Sequence, residues 1–143
     1  MNIMGAIAAA SLITLALATG HASKVNAQDA GKCGLYEYRA DIRRVVDGDT
    51  VDADIDLGFN VWLRNERLRL YRIDAPETRG ASKQAGIAST KALTEKINGK
   101  RVTICTVKDR KGKYGRYLAT VWLENENVNA WLVSNGFAVW RDC

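Results

Sequence analysis

The stretch Val51-Asp52-Ala53-Asp54-Ile55-Asp56-Leu57 constrains this chain more than any other, because it alternates apolar and acidic side chains without a break. Successive side chains of a strand point to opposite faces, so this period predicts a half-buried β-strand. The same alternation sets the three aspartates on one face, where a solvated strand surface accounts for them without a metal cluster. Turn chemistry bounds the strand on both sides, with Asp47-Gly48-Asp49 before it and Gly58-Phe59-Asn60 after it. Residues 36–46 are rich in β-formers, so the first turn joins two strands as a hairpin.

The rest of the chain extends this pattern. Residues 61–63 and 67–73 read as strand, interrupted near Asn65-Glu66. Residues 82–97 hold no Gly or Pro except Gly86 and predict a helix with Ser82 as N-cap, ending before Asn98-Gly99. A strand over 101–107, a basic loop over 108–115 and a strand over 116–123 follow. Val128, Trp131 and Leu132 fall at helical spacing, and Gly136 closes a short second helix. The apolar tail 137–140 is expected to pack down, and Trp62, Trp122 and Trp131 are expected in the core. Three strands, helix, two strands, helix predicts a mainly β chain with α (α+β): a five-stranded OB-type barrel with two helices.

At 143 residues, one domain is the default. Positions 4–19 carry no charge. The run is shorter than the roughly 20 residues of a membrane span and matches the apolar core of a secretory signal. Small-residue exits follow at Gly20-His21-Ala22 and Val25-Asn26-Ala27. Residues 1–27 are therefore expected to be a signal peptide, 28–35 a flexible lead, and 36–143 the folded domain of a secreted or periplasmic protein. An uncleaved N-terminal anchor is the alternative. A formal net charge of +5 favours an anionic partner such as nucleic acid but does not select one. Cys33, Cys105 and Cys143 allow one disulfide after export, and none has the spacing of a zinc pair. Cys33 and Cys143 lie near the two ends of the mature chain and are the expected pair, which leaves Cys105 as a buried strand thiol.

Three short segments in a fixed order carry the chemistry. They are Asp47-Gly48-Asp49-Thr50, then Arg69-Leu70-Tyr71-Arg72-Ile73-Asp74-Ala75-Pro76-Glu77-Thr78, then Lys113-Tyr114-Gly115-Arg116. Hard divalent cations take carboxylate and carbonyl oxygens, and phosphates take the planar donor fork of arginine. Pro76 fixes a turn and biases Ala75 to an extended conformation, which can aim Asp74 and Glu77 into one pocket. Each segment alone also has a plainer reading, as a hairpin turn, a solvated loop or strand surface charge. Lys108, Arg110, Lys111 and Lys113 fit a solubilising loop or a phosphate-steering patch equally well.

From about residue 38 to 137, these segments on this strand pattern make the chain resemble the staphylococcal nuclease (thermonuclease) family. The resemblance implies a nuclease dependent on Ca²⁺, acting on DNA and RNA and leaving 3′-phosphates. It implies Asp49 and Asp74 as metal ligands, with the backbone carbonyl of Ala75 where the best-known member has threonine. It implies Glu77 as general base or water-orienting group, Arg69 and Arg116 as grips on the scissile phosphate, and Lys113 and Tyr114 near the nucleotide's terminal phosphate. No stable protein partner is implied, and a monomer is expected. Three features depart from the best-known member: a short loop after Glu77, no long C-terminal helix before Cys143, and no clear base-stacking aromatics, though Trp140 can substitute. Two rivals remain, a catalytically idle barrel that binds single strands by charge and a surface-anchored interaction protein. The five catalytic-type side chains argue against the first, and the acidic cluster of Asp49, Asp74 and Glu77 against the second.

Overall fold

In the computed structural model, which describes residues 32–111 and 115–142, the alternating segment forms the middle of a barrel wall. Strand β1 (Glu37–Asp47) turns into β2 (Thr50–Asp56), and β2 pairs antiparallel with β3 (Trp62–Leu70). A two-residue strand β4 (Ile73–Asp74) precedes helix α1 (Lys83–Ile97). Strands β5 (Arg101–Lys111) and β6 (Tyr117–Leu123), the short β7 (Glu126–Asn127), helix α2 (Val128–Ser134) and β8 (Val139–Trp140) complete the order. The main sheet runs β3-β2-β1-β5-β6-β7, and β3 closes onto β6 in parallel through Leu68↔Tyr117, Arg69↔Leu118 and Leu70↔Ala119. Five strands therefore close into the expected α+β barrel with two helices.

Period two explains the interior. Val51, Ala53 and Ile55 of β2 are buried, and so are Leu68 and Leu70 of β3 and Ile104 of β5. Leu93 and Ile97 bring α1 onto this core, and Val128 and Leu132 bring α2. Burying a side chain of this size contributes about 1.5–3 kcal/mol. Asn129 fastens α2 to the barrel. Its Nδ2 donates to the carbonyls of Tyr71 (3.0 Å) and Ala119 (3.2 Å), and its Oδ1 accepts the Val121 amide at 3.0 Å.

Several expectations are corrected. The interruption near Asn65-Glu66 is a bulge inside one continuous β3. Asn65 adopts a φ of 55°, and its amide donates to Asp54 Oδ1 at 2.8 Å. The register slips there, from Ala53↔Glu66 to Ile55↔Leu63. β5 runs on to Lys111, past the expected end at 107, because Lys111 still pairs with Tyr117. The aspartate face is not solvated: Asp52 and Asp54 are only 3% and 8% exposed. Arg44 and Arg67 lie over Asp52, and Arg64 over Asp54. Alternation fixes which face a residue occupies but not which long side chains from neighbouring strands cover it. Ser82 does precede α1, but its hydroxyl donates to the Glu77 carbonyl (3.2 Å) rather than capping the helix. Trp131 packs against the core beside Phe137. Trp62 and Trp122 instead sit half-buried under Arg64 and Lys32. In the tail, Ala138 is buried, whereas Val139 and Trp140 stay exposed and pair with β4.

The disulfide is also corrected: Cys33 bonds Cys105. The β1–β5 ladder places Cys105 opposite Glu37, and Glu37 Oε2 accepts the Cys33 amide at 3.1 Å. The residue four positions ahead of β1 thus lands on β5. Cys143 and the uncharged run at 4–19 lie outside the described residues.

Candidate active site

The site forms where the β1–β2 hairpin tip meets the loop after β4. Asp47 Oδ1 accepts the Asp49 amide at 3.0 Å, a side-chain turn that holds the tip. Gly48 lets that tip press inward, because a Cβ there would stand 2.6 Å from the Ala75 side chain and collide with buried Ser89 of α1. Asp49 is consequently driven into the protein and is 3% exposed.

Both carboxylate oxygens of Asp49 are engaged. Oδ2 accepts the Ala75 amide at 2.9 Å. Oδ1 accepts from the Thr50 hydroxyl at 3.1 Å and from Arg69 at 2.8 Å. The other terminal nitrogen of Arg69 donates to Asp74 Oδ1 at 2.6 Å. One guanidinium therefore spans the two aspartates. Burial pushes the Asp49 carboxyl above its ordinary value, with nearby Asp47 adding to the rise, while the Ala75 amide, Arg69 and Thr50 oppose it.

Asp49, Arg69, Ala75, Glu77 and Arg116 all line one cleft of about 490 Å³. Asp74 borders it through Arg69. Arg116, just before β6, donates to the Thr50 hydroxyl at 3.4 Å. Glu77 projects as an exposed side chain on a fixed backbone. Ser82 binds its carbonyl, and Gly86 of α1 packs so closely that a Cβ would stand 2.5 Å from the Glu77 carbonyl carbon and 2.7 Å from the Pro76 oxygen. The ligand atoms of Asp49, Asp74 and Glu77 do not all lie within 4.8 Å of one another. The two aspartates share one cation, Arg69.

Sequence reasoning missed Arg141, which donates to Asp74 Oδ1 at 3.1 Å. It arrives through the two-residue β4–β8 ladder, Ile73↔Trp140 and Asp74↔Val139, which no local pattern announces. Gly86 was visible as the lone glycine of a helix, a position that usually reflects close packing. Lys113 and Tyr114 lie outside the described residues.

Residues 67–142 match the family described as staphylococcal nuclease homologue. The chain belongs to that family. The match contains Arg69, Asp74, Glu77 and Arg116 but begins after Asp49, which joins them through its bonds to Arg69 and Ala75. Among relatives, a thermonuclease of Staphylococcus intermedius is 35% identical over 100 residues, covering 68% of this chain and 56% of its own. The succinoglycan biosynthesis protein ExoI of Rhizobium meliloti is 34% identical over 106 residues, covering 68% of this chain and 50% of its own. Endonuclease YhcR of Bacillus subtilis is 31% identical over 112 residues, 71% of this chain and 9% of its own. The chain thus spans about half the length of the first two relatives and a small part of the third.

Proposed function

We propose that this member of the family is a Ca²⁺-dependent nuclease that hydrolyses phosphodiester bonds of DNA and RNA and leaves 3′-phosphates. The observation that carries the reading is Arg69, held between Asp49 and Asp74 in a cleft that Glu77 and Arg116 also line. The names of the thermonuclease and endonuclease relatives support it.

The residues fit a hard cation. Two carboxylates already face one positive group, and an all-oxygen set of Asp49, Asp74 and the Ala75 carbonyl leaves positions for water and substrate. A bound Ca²⁺ supplies charge neutralisation at the phosphate and a site for a water. The protein supplies the rest. Arg69 can exchange its aspartate partners for phosphate oxygens, to which its fork donates paired hydrogen bonds. Arg116 adds a second fork as charge builds on those oxygens. Glu77, exposed in the cleft, orients or deprotonates the attacking water. Lys113 and Tyr114 are proposed to meet the nucleotide's terminal phosphate.

Export of a monomer is part of this proposal. Export is supported by the uncharged run at 4–19 and by a Cys33–Cys105 disulfide, which suits an oxidising compartment. The test is cleavage of plasmid DNA and of RNA in Ca²⁺, Mg²⁺ and chelator. Glu77→Gln should cut turnover about 10²–10⁴-fold with nucleotide binding retained. Folded protein that cuts neither substrate in any metal would leave only a single-strand-binding barrel.

A further inference from the structure

We propose that the nucleic-acid strand continues out of the cleft along the outer face of β3 and β1, with Arg67 and Arg44 as successive phosphate contacts. The inference rests on the nuclease reading and extends it to residues outside the reacting centre.

The path begins in a second cleft of about 270 Å³ lined by Val46, Asp47, Thr50, Arg67 and Arg116. Val46, Asp47 and Arg116 also line the first cleft, so the two are continuous. Arg67 and Arg69 point to the same face of β3, with buried Leu68 between them. Alternate residues of a strand lie about 6.6 Å apart, comparable to the step between phosphates of an extended single strand. If Arg69 holds one phosphate, Arg67 is placed for its neighbour.

Both outer arginines are fixed before any ligand arrives. Arg67 grips Asp52 with two parallel bonds, Nε to Oδ1 at 2.7 Å and a terminal nitrogen to Oδ2 at 3.0 Å. Arg44 reaches the same carboxylate from β1 at 2.7 Å. A guanidinium carries five N–H donors, so each retains donors for a second acceptor. Their side chains remain 48% and 65% exposed, while the Asp52 side chain is 4% exposed. A plainer reading is that the arginines only neutralise a buried acid. One bidentate arginine balances one carboxylate, so the second leaves this cluster net positive. The arrangement repeats farther along, where Arg64 at 2.9 Å and Arg43 at 3.8 Å flank Asp54. Asp47 is a further acid on this rim, so the face sets the five arginines Arg43, Arg44, Arg64, Arg67 and Arg116 against the three carboxylates Asp47, Asp52 and Asp54 and stays net positive. A pre-ordered positive track lowers the entropy cost of binding a flexible strand.

The test measures length dependence. Oligothymidylates of about three and about 12 nucleotides are titrated by fluorescence anisotropy, in chelator, from about 50 mM to 1 M salt. Arg67→Gln and Arg44→Gln should each lower the salt slope for the longer strand by about 0.7, which is about eightfold in affinity at the low-salt end. The ratio of long- to short-strand affinity should fall with them. Lys91→Gln on the exposed face of α1 removes the same charge away from both clefts and should leave that ratio unchanged. If Arg67→Gln fails to fold, Arg44→Gln, which leaves Arg67 on Asp52, carries the test. Unchanged slope and ratio in folded variants overturn the inference. Loss of binding to duplex DNA alone also overturns it. Wild-type protein that binds the longer strand but cuts nothing sinks the nuclease reading while leaving the track intact.

Discussion

Replacing Gly86 by alanine separates stability from positioning. The new methyl group would stand 2.5 Å from the Glu77 carbonyl carbon and 2.7 Å from the Pro76 oxygen, whereas ordinary contact begins at 3.4 Å. Relief requires the loop or the helix to move by roughly 0.7–1 Å. Alanine in a helix interior gains about 1 kcal/mol over glycine, and overpacking costs about 1–3 kcal/mol. The net change in stability is therefore a loss of about 0–2 kcal/mol, a fall in Tm of at most some 10–15 °C for a domain of this size. Activity should suffer more, because the displaced backbone carries Glu77 and a misplacement of about 1 Å can cost up to 10²-fold. Calorimetry paired with single-turnover cleavage under saturating metal reads both effects. Cleavage within twofold of wild type would show that α1 does not position Glu77. A loss of more than about 4 kcal/mol would show that the core, not the loop, gives way.

Three further outcomes are expected. Ca²⁺ at about 100 times its Kd should stabilise the wild type by about 2.7 kcal/mol, and Asp49→Ala should abolish the shift; an equal shift in the variant would remove Asp49 from the metal site. Loss of the Cys33–Cys105 bridge, which closes a separation of 72 residues, should cost about 2–4 kcal/mol in urea unfolding of Cys33→Ser, and peptide mapping that links Cys33 to Cys143 would refute the pairing. Hydrogen bonds from Arg67, then from Arg44, hold the Asp52 carboxyl below its ordinary 3.8, so its stabilisation is present above that pH and is lost as pH falls through the lower folded value. Asp52→Asn should therefore be less stable than wild type at neutral pH, with the gap closing in acid; a gap that stays constant down to pH about 2 would contradict the sign.

Much of the barrel was legible because its wall obeys period two. Val51, Ala53 and Ile55 announce their inward face, and the turn at Asp47-Gly48-Asp49 announces the hairpin. Most of the failures share one cause, which is that strand pairing decides them. Cys33 looked like a partner for the other chain end, but the Glu37↔Cys105 register brings β5 to it first. Asp52 and Asp54 looked solvated because nothing local says that Arg44 and Arg67 pair across from Asp52, or that Arg64 reaches Asp54. The bulge at Asn65 looked like a break because its amide is satisfied by a side chain, Asp54, rather than by the ladder.

The candidate site divides along the same line. Asp49, Arg69, Asp74, Glu77 and Arg116 could be named from three motifs, because turns and a proline fix the chain where they stand. What the motifs could not give is the internal pairing. Arg69 faces its two aspartates only because β3 closes on β6 and the Gly48 tip meets Ala75. Two carboxylates bonded to one guanidinium repel each other as anions, and the fixed cation offsets that repulsion, so Arg69 stabilises the fold without any ligand. Arg141 then acquires a role of its own. It holds the same Asp74 oxygen from the C-terminal side, so under the proposed mechanism Asp74 would keep one cationic partner if Arg69 exchanged its bond for a phosphate. That division of labour depends on four residues pairing across β4 and β8, at a sequence distance no motif spans.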